Sequence, residues 1–123
     1  MKKILIVGAG GQIGSELTEH LRGIYGQHQV IAADIHGDRE DNDFVHLDAL
    51  DAEAMARVVR EQRIDTIFNL VALLSATGEA NPQKAWRVNM GALMNALEVA
   101  REYNCAVFTP SSIGAFGPAA PKD

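Results

Sequence analysis

The sequence predicts an α/β domain: a doubly wound parallel sheet in strand order 3-2-1-4-5, with helices on both faces. Three observations predict it. Five short apolar runs, at residues 2–7, 29–33, 44–47, 66–72 and 106–109, alternate with stretches of helical apolar spacing. The first run is continuous rather than alternating, as strands covered on both faces are. Glycines, acids and hydroxyls collect at the carboxyl ends of the runs, where open α/β sheets hold their ligands.

The first run, Lys2 to Val7, passes directly into Gly8-Ala9-Gly10-Gly11-Gln12-Ile13-Gly14. Ile13, Leu17 and Leu21 then recur every four residues and predict an amphipathic helix. Strand, glycine turn and helix are the context in which a glycine pattern becomes a phosphate-site hypothesis. Glycine tolerates positive φ and lets an anion approach the backbone, and the helix start offers unpaired N–H groups. The strict G-x-G-x-x-G spacing fails, because Ile13 stands where its third glycine belongs. G-x-x-G-x-x-G fits, at Gly8, Gly11 and Gly14. A glycine-rich turn that binds nothing is the alternative.

Gly23 to Gln29 reads as a loop and Gln29 to Ala33 as the second strand, ending at Asp34. A carboxylate there can accept from both hydroxyls of an adenosine ribose and repels a ribose phosphate, which favours NAD over NADP. A solvated loop aspartate is the alternative, since Asp38, Glu40, Asp41 and Asp43 lie close by. Phe44 to Leu47 is a short third strand closed by Asp48. Leu50 to Gln62 is helical, with Met55, Val58 and Val59 on one face and Leu50 a candidate for it. Thr66 to Ala72 is a fully buried fourth strand, followed by a loop from Leu73 to Asn81. Pro82 suits the first turn of a long helix that runs to about Tyr103. Apolar residues wrap more of this helix than one sheet face requires, and the excess suits a dimer interface. Ala106 to Thr109 is the fifth strand, and Ile113 to Asp123 is rich in Gly and Pro.

Composition narrows the function classes. The 123 residues suffice for one domain with a core, and the net charge of −5 comes without a basic cluster beyond Lys2-Lys3. Nucleic acid is therefore not an expected partner. Cys105 is the only cysteine, which leaves neither an internal disulfide nor a cysteine-based metal site, and no metal is expected. No apolar run is long enough to span a bilayer, so the expectation is a soluble, cytoplasmic protein.

The Gly8–Leu17 stretch, Asp34-Ile35, His46-Leu47-Asp48 and Ser111-Ser112 with Phe116-Gly117 together resemble the extended short-chain dehydrogenases, a Rossmann-fold group that includes sugar-nucleotide epimerases and dehydratases. Ala72-Leu73-Leu74-Ser75-Ala76-Thr77-Gly78-Glu79, with Asn81-Pro82, Trp86 and Asn89-Met90, more narrowly resembles the short-chain type of L-threonine 3-dehydrogenases. The resemblance implies that Gly8, Gly11, Gln12, Ile13 and Gly14 hold the pyrophosphate of NAD and Asp34 its adenosine ribose. Asp48 would meet the adenine edge with Leu47 beside it, and Leu70, Val71 and Ala72 would pass under the cofactor. Asn89 would brace the active-site strands, Ser75 and Thr77 would contact threonine, and Ser112 would be the catalytic hydroxyl. The family's general base belongs to a Tyr-x-x-x-Lys pair, which is absent here: Gln29 follows Tyr25 by four, and Val107 follows Tyr103 by four. The chain is accordingly expected to be the N-terminal, NAD-binding Rossmann domain (1–123) of a longer enzyme that dimerises. A sugar-nucleotide epimerase or dehydratase, and a non-catalytic dinucleotide-binding module, are the other readings.

Overall fold

The computed structural model describes residues 1–36, 40–71 and 81–109. Five strands run parallel: β1 (Ile4–Val7), β2 (Val30–Asp34), β3 (Phe44–His46), β4 (Thr66–Asn69) and β5 (Ala106–Phe108), in the order β3-β2-β1-β4-β5. The expected strand order is the observed one. Among the described residues three α-helices accompany them: α1 (Gln12–Tyr25), α2 (Ala52–Gln62) and α3 (Pro82–Tyr103).

β1 lies at the centre, with Ile4 opposite both Val30 of β2 and Thr66 of β4. Its unbroken apolar sequence follows from having both faces covered. Leu5 and Val7 point into a core built with Met55 and Val59 of α2 and Ala92, Ala96 and Val99 of α3. Ile4 and Ile6 point the other way, into a smaller core with Leu21 of α1, Val30, Ala32 and Leu70. All four β1 side chains are buried. At about 1.5–3 kcal/mol each for full burial, this tetrapeptide alone outweighs any surface ion pair in the chain.

The helix boundaries differ from the sequence reading in instructive ways. α1 continues through Gly23, Ile24 and Tyr25, which had been expected in a loop, and stops at Gly26, whose φ of +106° suits glycine. Gln27–Gln29 forms a single 3₁₀ turn. Ile13 is not on the inward face of α1: it is 57 % exposed, and the buried positions are Gly14, Thr18 and Leu21, with Leu17 half-buried. Thr18 is accepted inside because its hydroxyl donates to the Gly14 carbonyl at 2.7 Å. β3 ends at His46, with Leu47 beyond it, and β4 ends at Asn69.

Leu50 is not part of α2 and is 48 % exposed. The helix starts after Asp51, whose carboxylate accepts from the Ala54 N–H, and stops at Arg63 in the left-handed conformation. Asn81 caps α3 by accepting from the Gln83 and Lys84 N–H groups, with Pro82 in the first turn as expected. Cys105 is half-buried, and its thiol donates to the Ile64 carbonyl. Burial, assisted by nearby Asp65, pushes the thiol pKa up, as in a structural rather than a reactive cysteine. Among the described residues no helix is long and apolar enough to cross a membrane.

Asp65 ties the chain's start to β4. Its carboxylate accepts from the backbone N–H groups of Lys2 and Lys3 and from the Thr66 hydroxyl. Partial burial pushes its pKa up, but these hydrogen bonds and the terminal ammonium outweigh that and hold it below the ordinary aspartate value of 3.8. The folded chain therefore holds this proton less tightly than the unfolded chain does. The resulting stabilisation is complete above the unfolded pKa and is lost as pH falls through the lower folded one. Thermal melts from pH 7 to pH 3 should show stability dropping below about pH 4. Asp65→Asn should be less stable at pH 7 and lose less on acidification.

Candidate functional site

The carboxyl ends of β1, β2 and β4 meet at one edge of the sheet. Beyond Val7 the chain turns at Gly8, which holds φ at +85°. The N–H groups of Gly8 and Ala9 both donate to the Ala33 carbonyl, at 2.8 and 3.0 Å, which fixes the turn against the end of β2. Gly11 then begins α1 with no side-chain cap, and no acidic residue stands in the first turn. The first helical bond described, Ser15 N–H to the Gly11 carbonyl, comes after the amides of Gln12, Ile13 and Gly14. Those amides and the helix dipole form an electropositive terminus that nothing in the first turn neutralises.

Gly14 permits this arrangement. A Cβ there would lie 2.7 Å from the Gly8 carbonyl oxygen and 2.8 Å from the Ala9 Cα, so only glycine lets the helix rest on the turn.

A cavity of about 590 Å³ opens at the same edge, and Val7, Gly8, Asp34, Leu47, Asp48 and Val71 are among its lining residues. Asp34 is the last residue of β2, paired with His46 of β3. Its carboxylate accepts from the Gly10 N–H at 2.7 Å and the Ile35 N–H at 2.6 Å. The Asp48 carboxylate is held by the Leu50 N–H at 2.9 Å. Leu47 is buried, with its N–H bonded to the Asp34 carbonyl.

The structure thus brings together Gly8, Asp34, Leu47, Asp48 and Val71 around the cavity, with Gly14 packed against Gly8; Gly11, Gln12 and Ile13 stand at the start of α1 and are not among the cavity's lining residues. Leu70 does not join them: it is buried in the smaller core, its N–H bonded to the Val7 carbonyl. Asn89 lies half-buried on α3, and its Oδ1 is buried without a hydrogen-bond partner. Ala72, Ser75, Thr77 and Ser112 lie outside the described residues.

Two contributors escaped the sequence reading. Gly10 entered it only as part of the glycine stretch, outside the Gly8, Gly11 and Gly14 spacing that fits, yet it donates to Asp34. Asn69 is buried at the end of β4 and accepts from the Val71 N–H, shaping the chain where it leaves the sheet. A lone amide in the middle of an apolar run was its signal.

The two helical glycines of α1 should respond oppositely to alanine. At Gly14 the new methyl meets backbone, so Gly14→Ala should cost about 1–3 kcal/mol in urea denaturation. At Gly23 nothing lies within 4 Å of the added Cβ, so Gly23→Ala should stabilise by about 0.5–1 kcal/mol.

The sequence pattern of the NAD dependent epimerase/dehydratase family matches residues 4–123. An uncharacterized epimerase/dehydratase of Staphylococcus saprophyticus is 53% identical over 127 residues, covering 99% of this chain and 40% of that protein. Among solved structures, L-threonine dehydrogenase from Clostridium difficile is 47% identical with a TM-score of 0.86, over 100% of this chain and 40% of that one. UDP-glucose 4-epimerase from Thermotoga maritima is 26% identical with a TM-score of 0.64, over 84% of this chain and 35% of that one. This chain thus spans about 40% of the length of the curated relatives it matches. The family match runs over nearly the whole of this chain, residues 4–123: the chain belongs to the NAD dependent epimerase/dehydratase family.

Proposed function

We propose that this chain is the NAD-binding part, residues 1–123, of a cytoplasmic L-threonine 3-dehydrogenase that oxidises the threonine β-hydroxyl to give 2-amino-3-oxobutyrate. One observation carries the cofactor half of this reading. The uncapped, acid-free start of α1 rests through Gly14 on Gly8, and Gly8 and Asp34 both line a cavity of about 590 Å³. An electropositive helix end suits a pyrophosphate, and a carboxylate at the end of β2 suits a ribose diol. The orphaned Asn89 Oδ1 also fits, because a buried acceptor without a donor costs about 1–3 kcal/mol until a donor reaches it.

In this reading the first-turn amides of α1 hold the pyrophosphate and Asp34 accepts from both ribose hydroxyls. Leu47 and Asp48 flank the adenine, and Val71 and Ala72 pass beneath the dinucleotide. Ser75 and Thr77 contact the amino acid, and Ser112 hydrogen-bonds the substrate alcohol. When bound, the nicotinamide supplies a hydride acceptor. The alcohol proton needs a base: Ser112 is far too weak at neutral pH, and these 123 residues hold no Tyr-x-x-x-Lys pair. Without general-base help the rate falls by roughly 10²–10⁴. The threonine half of the reading rests on the greater likeness to L-threonine dehydrogenase, 47% identity against 26% for the epimerase. The epimerase likeness keeps a sugar-nucleotide substrate as the second reading.

Titration should show NAD bound in preference to NADP. A 2′-phosphate about 4 Å from Asp34 would meet a repulsion of about 4 kcal/mol at the effective dielectric near a protein surface. Asp34→Ala should weaken NAD by about 2–4 kcal/mol, the worth of two hydrogen bonds to a charged acceptor. Equal or tighter binding of NADP to the unaltered chain would refute the assignment.

A full-length protein containing this chain should reduce NAD with L-threonine, while the chain alone should not. Epimerisation of a UDP-sugar by the full-length protein, with no threonine turnover, would select the second reading.

We also propose that the full-length enzyme is a homodimer through α3, whose inner face is Ala92, Ala96, Val99 and Ala100 while Trp86, Met94 and Leu97 stand 64 %, 50 % and 45 % exposed. Sedimentation of this chain should show concentration-dependent association that Met94→Glu with Leu97→Glu abolishes. A monomer at every concentration would count against that interface.

A further inference from the structure

We propose that Gly10 sets dinucleotide selectivity by holding the Asp34 carboxylate in place, although it lies outside the glycine spacing that serves the pyrophosphate. The proposal rests on the NAD-binding reading and assigns a positioning residue within that site.

The Asp34 carboxylate is fixed from two sides. Oδ2 accepts from the Gly10 N–H at 2.7 Å, while Oδ1 accepts from the Ile35 N–H at 2.6 Å and the His36 N–H at 3.4 Å. Each oxygen of an ionised carboxylate has two acceptor positions, so Oδ2 keeps one for a ribose hydroxyl, while Oδ1 can take one only in place of the long His36 bond. The backbone bonds thus choose the side-chain rotamer in advance and leave Oδ2 with an acceptor position ready at the end of β2. The Ile35 and His36 amides are local and follow Asp34 along the chain. Gly10 is the only one of the three donors that comes from another element, so it fixes the carboxylate relative to the turn before α1.

The absent side chain at Gly10 matters as much as its N–H. A Cβ built there would lie 2.6 Å from Oδ2 and 3.1 Å from Cγ of Asp34, and its next neighbour, the His36 carbonyl oxygen, is at an ordinary 3.5 Å. Gly10 does not hold a left-handed φ; Gly8 and Gly26 are the glycines with positive φ among the described residues. Alanine at position 10 is therefore compatible with the backbone, and the one group it must displace is the selectivity carboxylate. This separates Gly10 from Gly14, where the obstruction is the turn's own backbone.

The test is calorimetric titration of NAD and NADP into the unaltered chain, Gly10→Ala, Asp34→Ala and the double variant, with a thermal melt of each. Gly10→Ala should keep its melting transition, bind NAD roughly tenfold more weakly and leave NADP within about twofold. In the Asp34→Ala background, Gly10→Ala should have no further effect on NAD. In ¹H–¹⁵N spectra the Gly10 amide proton should lie downfield and move upfield in Asp34→Asn, a signature that a purely structural glycine would not give. Equal weakening of NAD and NADP by Gly10→Ala, or additive losses in the double variant, would overturn this assignment while leaving the cofactor reading intact. An unaltered chain that binds neither dinucleotide would overturn the cofactor reading, and this assignment with it.

Discussion

The missing side chain at Gly14 is the constraint on which the site depends. It lets α1 settle directly on the turn after β1, a hypothetical methyl's width from the Gly8 carbonyl. That turn is itself pinned to the end of β2, because the Gly8 and Ala9 N–H groups share the Ala33 carbonyl. Three features then follow at one edge of the sheet: an open helix start, a turn with free backbone surface, and the carboxylate of the residue after Ala33. One turn further along α1, Thr18 faces inward, where its hydroxyl is spent on the Gly14 carbonyl. The first turn of the helix is thus held by small residues and backbone rather than by bulky packing.

The other end of α1 is fastened differently. The Arg22 guanidinium donates to the Val30 and Asp43 carbonyls and pairs with Asp41 at 2.8 Å. Both Arg22 and Asp41 side chains are largely buried. The pair therefore differs from the exposed Arg101–Glu98 pair, whose contribution water and salt reduce to little. Asp43 in turn accepts from Gln27 and pairs with exposed His28. These contacts tie α1 to the strand that ends in Asp34 and to the approach of β3.

Much of this was legible in the residues. An unbroken Ile-Leu-Ile-Val, a seven-residue glycine stretch and an acid closing the next apolar run point to a parallel α/β sheet and mark the edge where the candidate site lies. What escaped has physical causes. Periodicity located the helix but misplaced its inner face, because Gly14 and Thr18 occupy positions that a hydrophobicity pattern assigns to Ile13. Gly23 looked like a stop, but a solvated helix tolerates glycine at modest cost and the stop came where positive φ was needed, at Gly26. Leu50 looked like a helix residue, but Asp51 was the better cap, which left Leu50 outside against Gly91. The pairing of Gly10 with Asp34 is a contact between residues far apart in the chain, and no spacing rule encodes it.

The central place of β1 has a consequence for how the chain acquires its shape. β1 is synthesised first, yet its two neighbours are β2, which follows one helix later, and β4, which arrives only after β3 and α2. Ile4 must find Val30 and then Thr66, and the entropy of closing the second, longer loop is met before its contacts form. A growing polypeptide can close β1, α1, β2 and β3 into a half-sheet on the ribosome while the second edge of β1 stays unpaired. That edge is a row of bare amides and carbonyls flanked by buried-type side chains, the kind of surface on which nascent chains pair with the wrong partner. The chain's vulnerability to misassembly is therefore concentrated in the interval between the synthesis of β3 and the docking of β4.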